Sequence, residues 1–282
     1  MTGHSEGRRA SPAQALRPFV APYEGYRLAG FDPGSHLGLP SPYLTVIIAL
    51  DAPLELARMS DPRQQPGAWG TLASGLSTAP VEIRHDGNQH GVQLALTPAG
   101  SRALLGVPAA ELGAWVVELE DLLGADATEL SERIAAQPSW EARFAVLDEV
   151  LSRRLADAEI DPHLAHAWQL LTAADGVVRV GQVAREIGWS RRHLVGRFAA
   201  EFGVSPKETA KLARFHRSHQ LLRAHPSISL ADAAARCGFY DQAHLARDWR
   251  DIVGIPPSRW RAEELFSFIQ ADQTSEGAVS RA

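Results

Sequence analysis

Residues 180–261 contain one pattern written twice. The first copy reads Val183, Ala184, Ile187, Gly188 and Trp189, and 50 positions later the second reads Ala233, Ala234, Cys237, Gly238 and Phe239. After one extra residue in the second turn, the offset is 51, and Leu194, Phe198, Gly203 and Pro206 correspond to Leu245, Trp249, Gly254 and Pro257. Each copy predicts a short helix, a glycine turn and a second helix that buries a Leu and the aromatic residue four positions on.

This arrangement is typical of a helix-turn-helix unit. The small side chains of Ala184 and Ala234 let the two helices of a unit cross closely, and Gly188 and Gly238 can adopt the left-handed conformation of a sharp turn. The second helix then presents its outer face to solvent or to the major groove of DNA.

The doubled pattern resembles the DNA-binding domain of the arabinose-regulator (AraC/XylS) family of bacterial transcription regulators. The matching residues are Ser190, Leu194, Phe198, Gly203, Ser205, Pro206, Arg214, Leu221, Leu222, Ile228, Ala234, Gly238, Phe239, Leu245, Trp249, Gly254, Pro257, Trp260 and Arg261. Departures from the family pattern are packing substitutions at Thr209, Ser218, Trp249 and Trp260. The resemblance covers roughly the last 100 residues before the C-terminal tail, and a doubled pattern is far more specific than a single unit.

Charge is divided unevenly along the chain. Residues 176–261 hold 15 Lys and Arg against 7 Asp and Glu, a net charge of +8, so the remainder carries −13 within the overall −5. A cationic module joined to an acidic one fits a DNA-binding domain attached to a regulatory domain. The single cysteine allows no internal disulfide and fits a reducing, cytoplasmic setting, and no segment is apolar enough to span a bilayer.

The N-terminal half predicts β structure, with short strands at 43–50, 54–59, 70–74, 81–84 and 92–96 separated by turn signals. The resemblance implies a cupin-like barrel here. The predicted fold class is α+β: an N-terminal small, cupin-like β-barrel with helices, followed by an all-α C-terminal domain in which a long helix joins two helix-turn-helix motifs. The predicted divisions are a disordered tail at 1–13, a sensor and dimerisation domain at 14–158, a DNA-binding domain at 159–266 and a flexible tail at 267–282.

A helix predicted at 139–158 carries an apolar stripe of Trp140, Phe144, Leu147, Leu151 and Leu155. Family members often pair through helices of the N-terminal half, so the stripe is a candidate seam for a homodimer. The alternative is that the helix packs against its own barrel.

Residues that contact DNA are carried over from the family one position at a time. The resemblance implies base contacts at Arg192, Val195, Gly196, Ala243, His244 and Arg247, and Gln242 is added because it lies on the same exposed face of the second helix. Arg192 and Arg247 are the best candidates for direct readout, because arginine pairs bidentately with guanine O6 and N7. The linker helix, predicted at 206–224, would hold the two reading helices about 34 Å apart, one turn of the duplex.

A second group of residues is predicted to hold the DNA backbone without selecting sequence. Its members are Ser190, Arg191, His193, Lys207, Lys211, Arg214 and Arg217. Arg214 has a competing structural role, since the family's arginine at this place often stabilises the linker helix. Residues 160–270 are expected to fold and bind DNA alone.

Two questions about the N-terminal half stay open at this level. A small ligand would require an apolar pocket, for which the candidates are Tyr43, Val46, Ile48, Trp69, Val81, Ile83 and Leu94. Without a cavity, the domain would be a dimerisation or docking platform. A cupin-like metal-dependent enzyme is the third interpretation, but His36, His85 and His90 lack the His-x-His pair of metal-binding cupins and are expected to be exposed turn residues.

The favoured function is therefore a DNA-binding transcription regulator modulated by a small ligand or a partner. The resemblance implies double-stranded DNA and RNA polymerase as partners. It predicts no enzyme activity, metal or cofactor.

Overall fold

The computed structural model describes residues 3–157, 159–173 and 178–263. The strands of this part of the chain are β1 His4–Ala10, β2 Tyr23–Ala29, β3 Gly34–Gly38, β4 Leu44–Ala49, β5 Leu54–Arg58, β6 Gly67–Trp69, β7 Thr71–Ser74, β8 Val81–His85, β9 Gln89–Leu96 and β10 Val116–Glu118. The helices are α1 Pro98–Gly100, α2 Ala109–Leu112, α3 Leu119–Leu123, α4 Ala125–Ala135, α5 Trp140–Arg154, α6 Pro162–Thr172, α7 Val180–Glu186, α8 Arg191–Phe202, α9 Pro206–Ala224, α10 Leu230–Arg236, α11 Gln242–Val253 and α12 Pro257–Glu263. A 3-10 turn at Gln14–Leu16 and a π-helical turn at Ser101–Leu105 complete the set.

The strands form two antiparallel sheets. One has the order β1-β2-β9-β4-β7-β10 and the other β3-β8-β5-β6. The α+β class and the two helix-turn-helix motifs joined by a long helix, α9, are confirmed, but the predicted closed barrel is wrong because the two sheets remain separate. Short alternating strands predict either arrangement, since closure depends on long-range pairing that local patterns do not encode.

The first strand corrects the prediction of a disordered tail at 1–13. β1 pairs with β2 from His4 opposite Ala29 to Ala10 opposite Tyr23. The Trp140 indole N–H of α5 donates to the Glu6 carboxylate over 3.0 Å, which anchors the strand. An edge strand this polar carries almost no apolar alternation, so its sequence looks like a tail. The predicted tail at 267–282 lies outside the described residues.

The stripe on α5 faces its own domain. Trp140, Phe144, Leu147 and Leu151 are all buried, and the Phe144 ring stacks on Tyr23 of β2 with centroids 5.8 Å apart. The dimer-seam interpretation of this stripe is therefore wrong, because its apolar area is already covered by the chain itself. Ser139 caps the helix, as predicted, by accepting a hydrogen bond from the Ala142 N–H.

Among the three hydrophobic clusters of the described residues, the border between the two largest lies at an unexpected place. The larger core runs from the sheet facing α5 through α6, α7 and α8, and ends at Ala210 near the start of α9. The second begins at Phe215 of α9 and includes α10, α11 and Trp260 of α12. The first helix-turn-helix unit thus shares its core with the N-terminal domain, whereas the second has its own.

One ion pair adds to this junction. The Arg102 guanidinium donates to both carboxylate oxygens of Glu201 at the end of α8, over 2.6 and 2.8 Å. Because residues 160–270 lack this partner and much of the shared core, the autonomous folding of that fragment stays a prediction, and we expect its first unit to be destabilised.

Candidate DNA-binding surface and ligand cavity

The first helix-turn-helix unit consists of α7 and α8. Gly188 turns the chain with φ of 74°, and the Trp189 N–H then donates to the Ala184 carbonyl over 2.8 Å. Ser190 caps α8 by accepting from the His193 N–H. Leu194, fully buried, fixes which face of α8 points outward.

The second unit, α10 and α11, repeats this geometry. Gly238 has φ of 75°, and the Phe239 N–H donates to the Ala234 carbonyl over 3.0 Å. Asp241 caps α11 by accepting from the His244 N–H over 2.7 Å. Trp249, fully buried, fixes the inner face of α11.

Most of the predicted base-contact residues are exposed on the outer faces of α8 and α11. These residues are Arg192, Val195 and Gly196 on α8, and Gln242, Ala243 and Arg247 on α11. His244 differs, because it is half-buried and its Nδ1 accepts a hydrogen bond from the Tyr240 N–H over 3.2 Å. Its Nε2 lies 3.6 Å from the Asp248 carboxylate, so the ring is engaged within the protein.

The predicted backbone contacts fall into two groups. Ser190, Arg191 and His193 at the start of α8 and Lys207 at the start of α9 are exposed. Lys211 and Arg214 instead face α11. Their prediction as phosphate contacts neglected this packing.

An acidic residue of α11 joins the linker helix to the reading helix. Asp248, only 7% exposed, lies 3.3 Å from the Arg214 guanidinium and 3.8 Å from the Lys211 ammonium. Lys211 also pairs with Asp251 over 2.9 Å. This cluster, which we call the α9–α11 clasp, fixes the orientation of the second reading helix on the linker.

Arg217 is also turned inward. Its Nη2 donates to the Ala173 carbonyl at the end of α6 over 2.7 Å, and its Nη1 is buried. The prediction of a phosphate contact is not supported by this position, since the guanidinium lies in the interface between α6 and α9.

Tyr240 is a surface residue that the sequence prediction missed. It is the one extra residue of the second turn, directly before the Asp241 cap, and its side chain is 92% exposed. The offset between the two copies of the repeated pattern changes from 50 to 51 at this position, so the sequence indicates an inserted residue. It does not indicate that the side chain is exposed.

A cavity of about 390 Å³ lies between the two sheets and is bordered by α9 and α12. We call it the ligand cavity. The sheets contribute Tyr26, Tyr43, Thr45, Ile47, Leu54, Leu56, Leu72, Val81, Ile83, Gln93 and Ala95 to its walls. The C-terminal domain contributes His216, His219, Gln220, Arg223 and Trp260. A cavity of this size is large enough to hold a small molecule.

Three of the predicted pocket residues, Tyr43, Val81 and Ile83, line this cavity. Val46, Ile48 and Leu94 lie on the opposite face of the sheet, in the larger core. Trp69 packs on a small cluster around Leu54 and Leu56 and does not line the cavity. Successive side chains of a strand point to opposite faces of the sheet. The prediction assigned Val46 and Ile48 of β4 and Leu94 of β9 to the cavity face, whereas they lie on the face toward the larger core.

Two histidines of α9 face the cavity. Burial, with the positive charge of Arg223 as the second cause, lowers the pKa of His216 to about 4. Burial also lowers the pKa of His219 well below its usual range. Both rings are therefore neutral near pH 7, and His216 makes an edge contact with the Tyr43 ring at 5.7 Å.

This burial predicts a loss of stability in acid. The unfolded chain protonates His216 near pH 6.5, whereas the folded chain does so only near pH 4, so stability is full above pH 6.5 and falls as the pH drops between these values. From pH 7.5 to pH 5 we expect His216 to account for about 2 kcal/mol of lost unfolding free energy. Urea unfolding of the wild type and of His216→Gln at both pH values measures this, and equal losses in the two proteins would contradict it.

The N-terminal histidines also depart from expectation. His36 and His85 are buried rather than exposed, with ring centroids 5.5 Å apart, and burial lowers the pKa of His36 to about 3. Among the described residues, no group of three or more His, Cys, Asp and Glu is placed to hold a metal ion. Cys237 is buried, as predicted. None of the helices in the described ranges is long and apolar enough to cross a membrane.

Comparisons with known proteins bear on both halves of the chain. Residues 183–263 match the helix-turn-helix domain family. A probable thc operon regulatory protein of Rhodococcus erythropolis is 35% identical over 129 residues, 44% of this chain and 36% of that protein. The Msm operon regulatory protein of Streptococcus mutans is 30% identical over 86 residues, 30% of this chain and 31% of that protein. The matches thus span about a third of the length of these curated relatives.

One structural likeness extends over both domains. The unsaturated fatty acid-bound ToxT of Vibrio cholerae aligns with a TM-score of 0.52 at 10% identity, covering 86% of this chain and 95% of ToxT. At this identity the likeness concerns the fold alone.

The two capped, exposed helices and the family match define a protein with a double helix-turn-helix DNA-binding domain. This domain, residues 183–263, is of the AraC type.

Proposed function

We propose that the chain is a transcription regulator that binds double-stranded DNA through α8 and α11. The observation that carries this proposal is the exposure of Arg192 on α8 and Arg247 on α11, two helices capped in the same way and joined by one continuous linker, α9. The net charge of +8 in residues 176–261 supplies the attraction to phosphate. Chromosomal DNA as the target favours a cytoplasmic site of action.

The proposed base-reading set is Arg192, Val195, Gly196, Gln242 and Arg247. His244 contributes by holding the turn before α11 rather than by reading bases, since both of its ring nitrogens face protein groups. Ser190, Arg191, His193 and Lys207 are the proposed phosphate contacts. Tyr240 joins them, because its exposed side chain directly precedes the Asp241 cap at the N-terminus of a reading helix, where phosphates approach.

The test is binding of the full chain to DNA upstream of its own and neighbouring genes, at two salt concentrations, with random DNA as the control. We expect saturable binding that prefers one site and persists at the higher salt. Binding that is equal on all DNA and vanishes with salt would contradict a sequence-specific regulator.

Arg247→Ala is expected to weaken binding to the preferred site by about 1–3 kcal/mol and to relax the preference at one base pair. Binding to random DNA should change little. A fluorescence anisotropy titration on the preferred site, on the site with each base pair exchanged and on random DNA measures both effects. Lys207→Ala is the matched control, since loss of a phosphate contact weakens binding to all of these sequences alike.

The N-terminal domain is proposed to regulate DNA binding through a small, mainly apolar ligand in the ligand cavity. Trp260 lines this cavity, and its indole N–H is buried without a hydrogen-bond partner among the described residues. A ligand with a carbonyl or carboxylate oxygen would satisfy that donor. ToxT, which shares this fold, binds an unsaturated fatty acid, and we therefore choose apolar carboxylic acids as the first class to screen.

The walls of the cavity explain how a ligand would act on DNA binding. His216 and His219 belong to α9, and Trp260 to α12, so a ligand there contacts the linker and the second helix-turn-helix unit directly. Occupancy would bias the position of α11 relative to α8, and thereby the spacing of the two reading helices. Contact with RNA polymerase, which the family implies, would follow DNA binding.

Trp260→Phe is expected to weaken binding of an unsaturated fatty acid by about 10-fold, because it keeps the ring and removes one buried hydrogen-bond donor. Isothermal titration of both proteins with oleate measures the change. Trp115→Phe is the control, since Trp115 is 41% exposed and does not line the cavity. Equal affinity of the wild type, Trp260→Phe and Trp115→Phe for oleate would show that Trp260 does not bind the ligand.

A further inference from the structure

A second cavity, of about 550 Å³, lies where the N-terminal domain meets α6 and α9. Trp168 of α6 and Phe202 of α8 form an aromatic wall, with ring centroids 4.7 Å apart. Pro42 and Pro98 of the N-terminal domain contribute to the facing wall. Flat apolar walls of this kind bury an aromatic ring with little loss of side-chain freedom, because proline and packed aromatic side chains are already rigid.

The second cavity adjoins the ligand cavity, and the two share three side chains of their walls. Tyr43, His216 and Gln220 line both cavities, and the rings of Tyr43 and His216 meet edge to face. Besides α9, which lines both, the ligand cavity is lined by Trp260 of α12, which packs on the second helix-turn-helix unit, whereas the second cavity is lined by α6 and by Phe202 of α8, which lies in the first unit. The two cavities therefore abut different halves of the DNA-binding domain.

A cationic group lines the second cavity. Arg217 uses its Nη2 to donate to the Ala173 carbonyl, which caps the C-terminus of α6. Its Nη1 is buried and has no hydrogen-bond partner in the described part of the chain. A buried guanidinium nitrogen without an acceptor is costly, and a carboxylate is the acceptor that suits a planar guanidinium best.

We propose that the second cavity binds an aromatic carboxylate, with the ring against Trp168 and Phe202 and the carboxylate on Arg217. This ligand would be a second effector, beyond the one proposed for the ligand cavity. It would act on the first reading helix, since the Arg217 side chain joins α9 to α6 and Phe202 is part of α8.

Isothermal titration of the full chain with 2-naphthoate tests the proposal. The neutral, equally shaped 2-naphthamide shows whether the charge is recognised. Arg217→Met keeps the length of the side chain and removes the guanidinium, and Ala165→Phe fills the cavity from α6 while leaving Arg217 in place. Circular dichroism checks that each variant is folded, and Trp260→Phe reports on the ligand cavity.

We expect 2-naphthoate to bind with one site per chain and to lose about 10-fold or more in affinity in Arg217→Met and in Ala165→Phe. Trp260→Phe should leave its affinity unchanged, and 2-naphthamide should bind weakly to the wild type and to Arg217→Met alike. Absence of saturable binding at millimolar concentration would overturn the proposal. So would binding that Trp260→Phe weakens and Arg217→Met does not, because the probe would then occupy the ligand cavity. None of these outcomes depends on DNA binding, so the proposed function is tested separately.

Discussion

Trp249→Ala is expected to lower the free energy of unfolding of the second helix-turn-helix unit by about 3–5 kcal/mol. Trp249 is fully buried, its ring contacts Phe215 and Trp260 with centroids 4.8 and 5.2 Å apart, and its indole N–H donates to the Ser218 hydroxyl. The substitution leaves a large cavity in the smaller core and a buried hydroxyl that has lost one partner. Specific DNA binding should be lost with it.

Because the two cores are separate, we expect Trp249→Ala to destabilise only the helices that form the smaller core. Hydrogen exchange measured by mass spectrometry should speed up in α10, α11 and α12 and stay unchanged in the strands β2, β4 and β9. Trp249→Phe is the matched control, since it keeps most of the apolar volume and loses one hydrogen bond, for which we expect about 1 kcal/mol. Faster exchange throughout the chain in Trp249→Ala would show that the two cores unfold together.

The second large effect is expected at the α9–α11 clasp. Asp248→Ala removes the carboxylate that lies beside Arg214 and Lys211. These two partly buried cations then lose the negative charge of Asp248. Breaking a fully buried ion pair in this way costs about 3–5 kcal/mol, and because the side chains of Lys211 and Arg214 keep 28% and 18% exposure we expect about 2 kcal/mol. Urea unfolding monitored by circular dichroism measures the change.

Asp251→Ala is the matched control for this experiment. Asp251 lies one helical turn further along α11 and pairs with the same Lys211, but its side chain is 54% exposed. An exposed pair of this kind contributes less than about 1 kcal/mol. Equal losses in the two variants would mean that Asp248 acts as an ordinary surface charge, and that the orientation of α11 has another origin.

The helix-turn-helix half could be predicted well because its signal is local and doubled. Gly188 and Gly238 mark the turns, and Leu194 and Trp249 mark the buried faces, so the exposed faces follow from helical geometry. Helical geometry does not, however, predict which basic side chains contact DNA and which pair with acidic residues of the protein. Lys211 and Arg214 look like any basic residues of a DNA-binding domain until Asp248, 37 and 34 positions away, is seen beside them.

In the N-terminal half, the sequence pattern could not predict which face of each strand lines the cavity. The run from Tyr43 to Leu50 is apolar at nearly every position, so nothing in it says which face meets the helices and which meets the cavity. Tyr43 and Thr45, the two hydroxyl residues of the run, both lie on the cavity side and were the available hint. The polar strand β1 gave no signal at all, since its stability comes from pairing with β2 and from Glu6 contacting Trp140.

The position of the border between the two cores bears on how such chains can be recombined. A chimera joined near residue 158, between the sensor and DNA-binding halves, would cut through the shared core and separate Arg102 from Glu201. A joint inside α9, after Ala210 and before Phe215, would instead exchange one intact core. The natural unit of exchange in this molecule is a single reading helix with its scaffold, so half of an operator's recognition could be altered while the other half is inherited unchanged. The cavity wall formed by His216, His219 and Trp260 would be exchanged together with that helix.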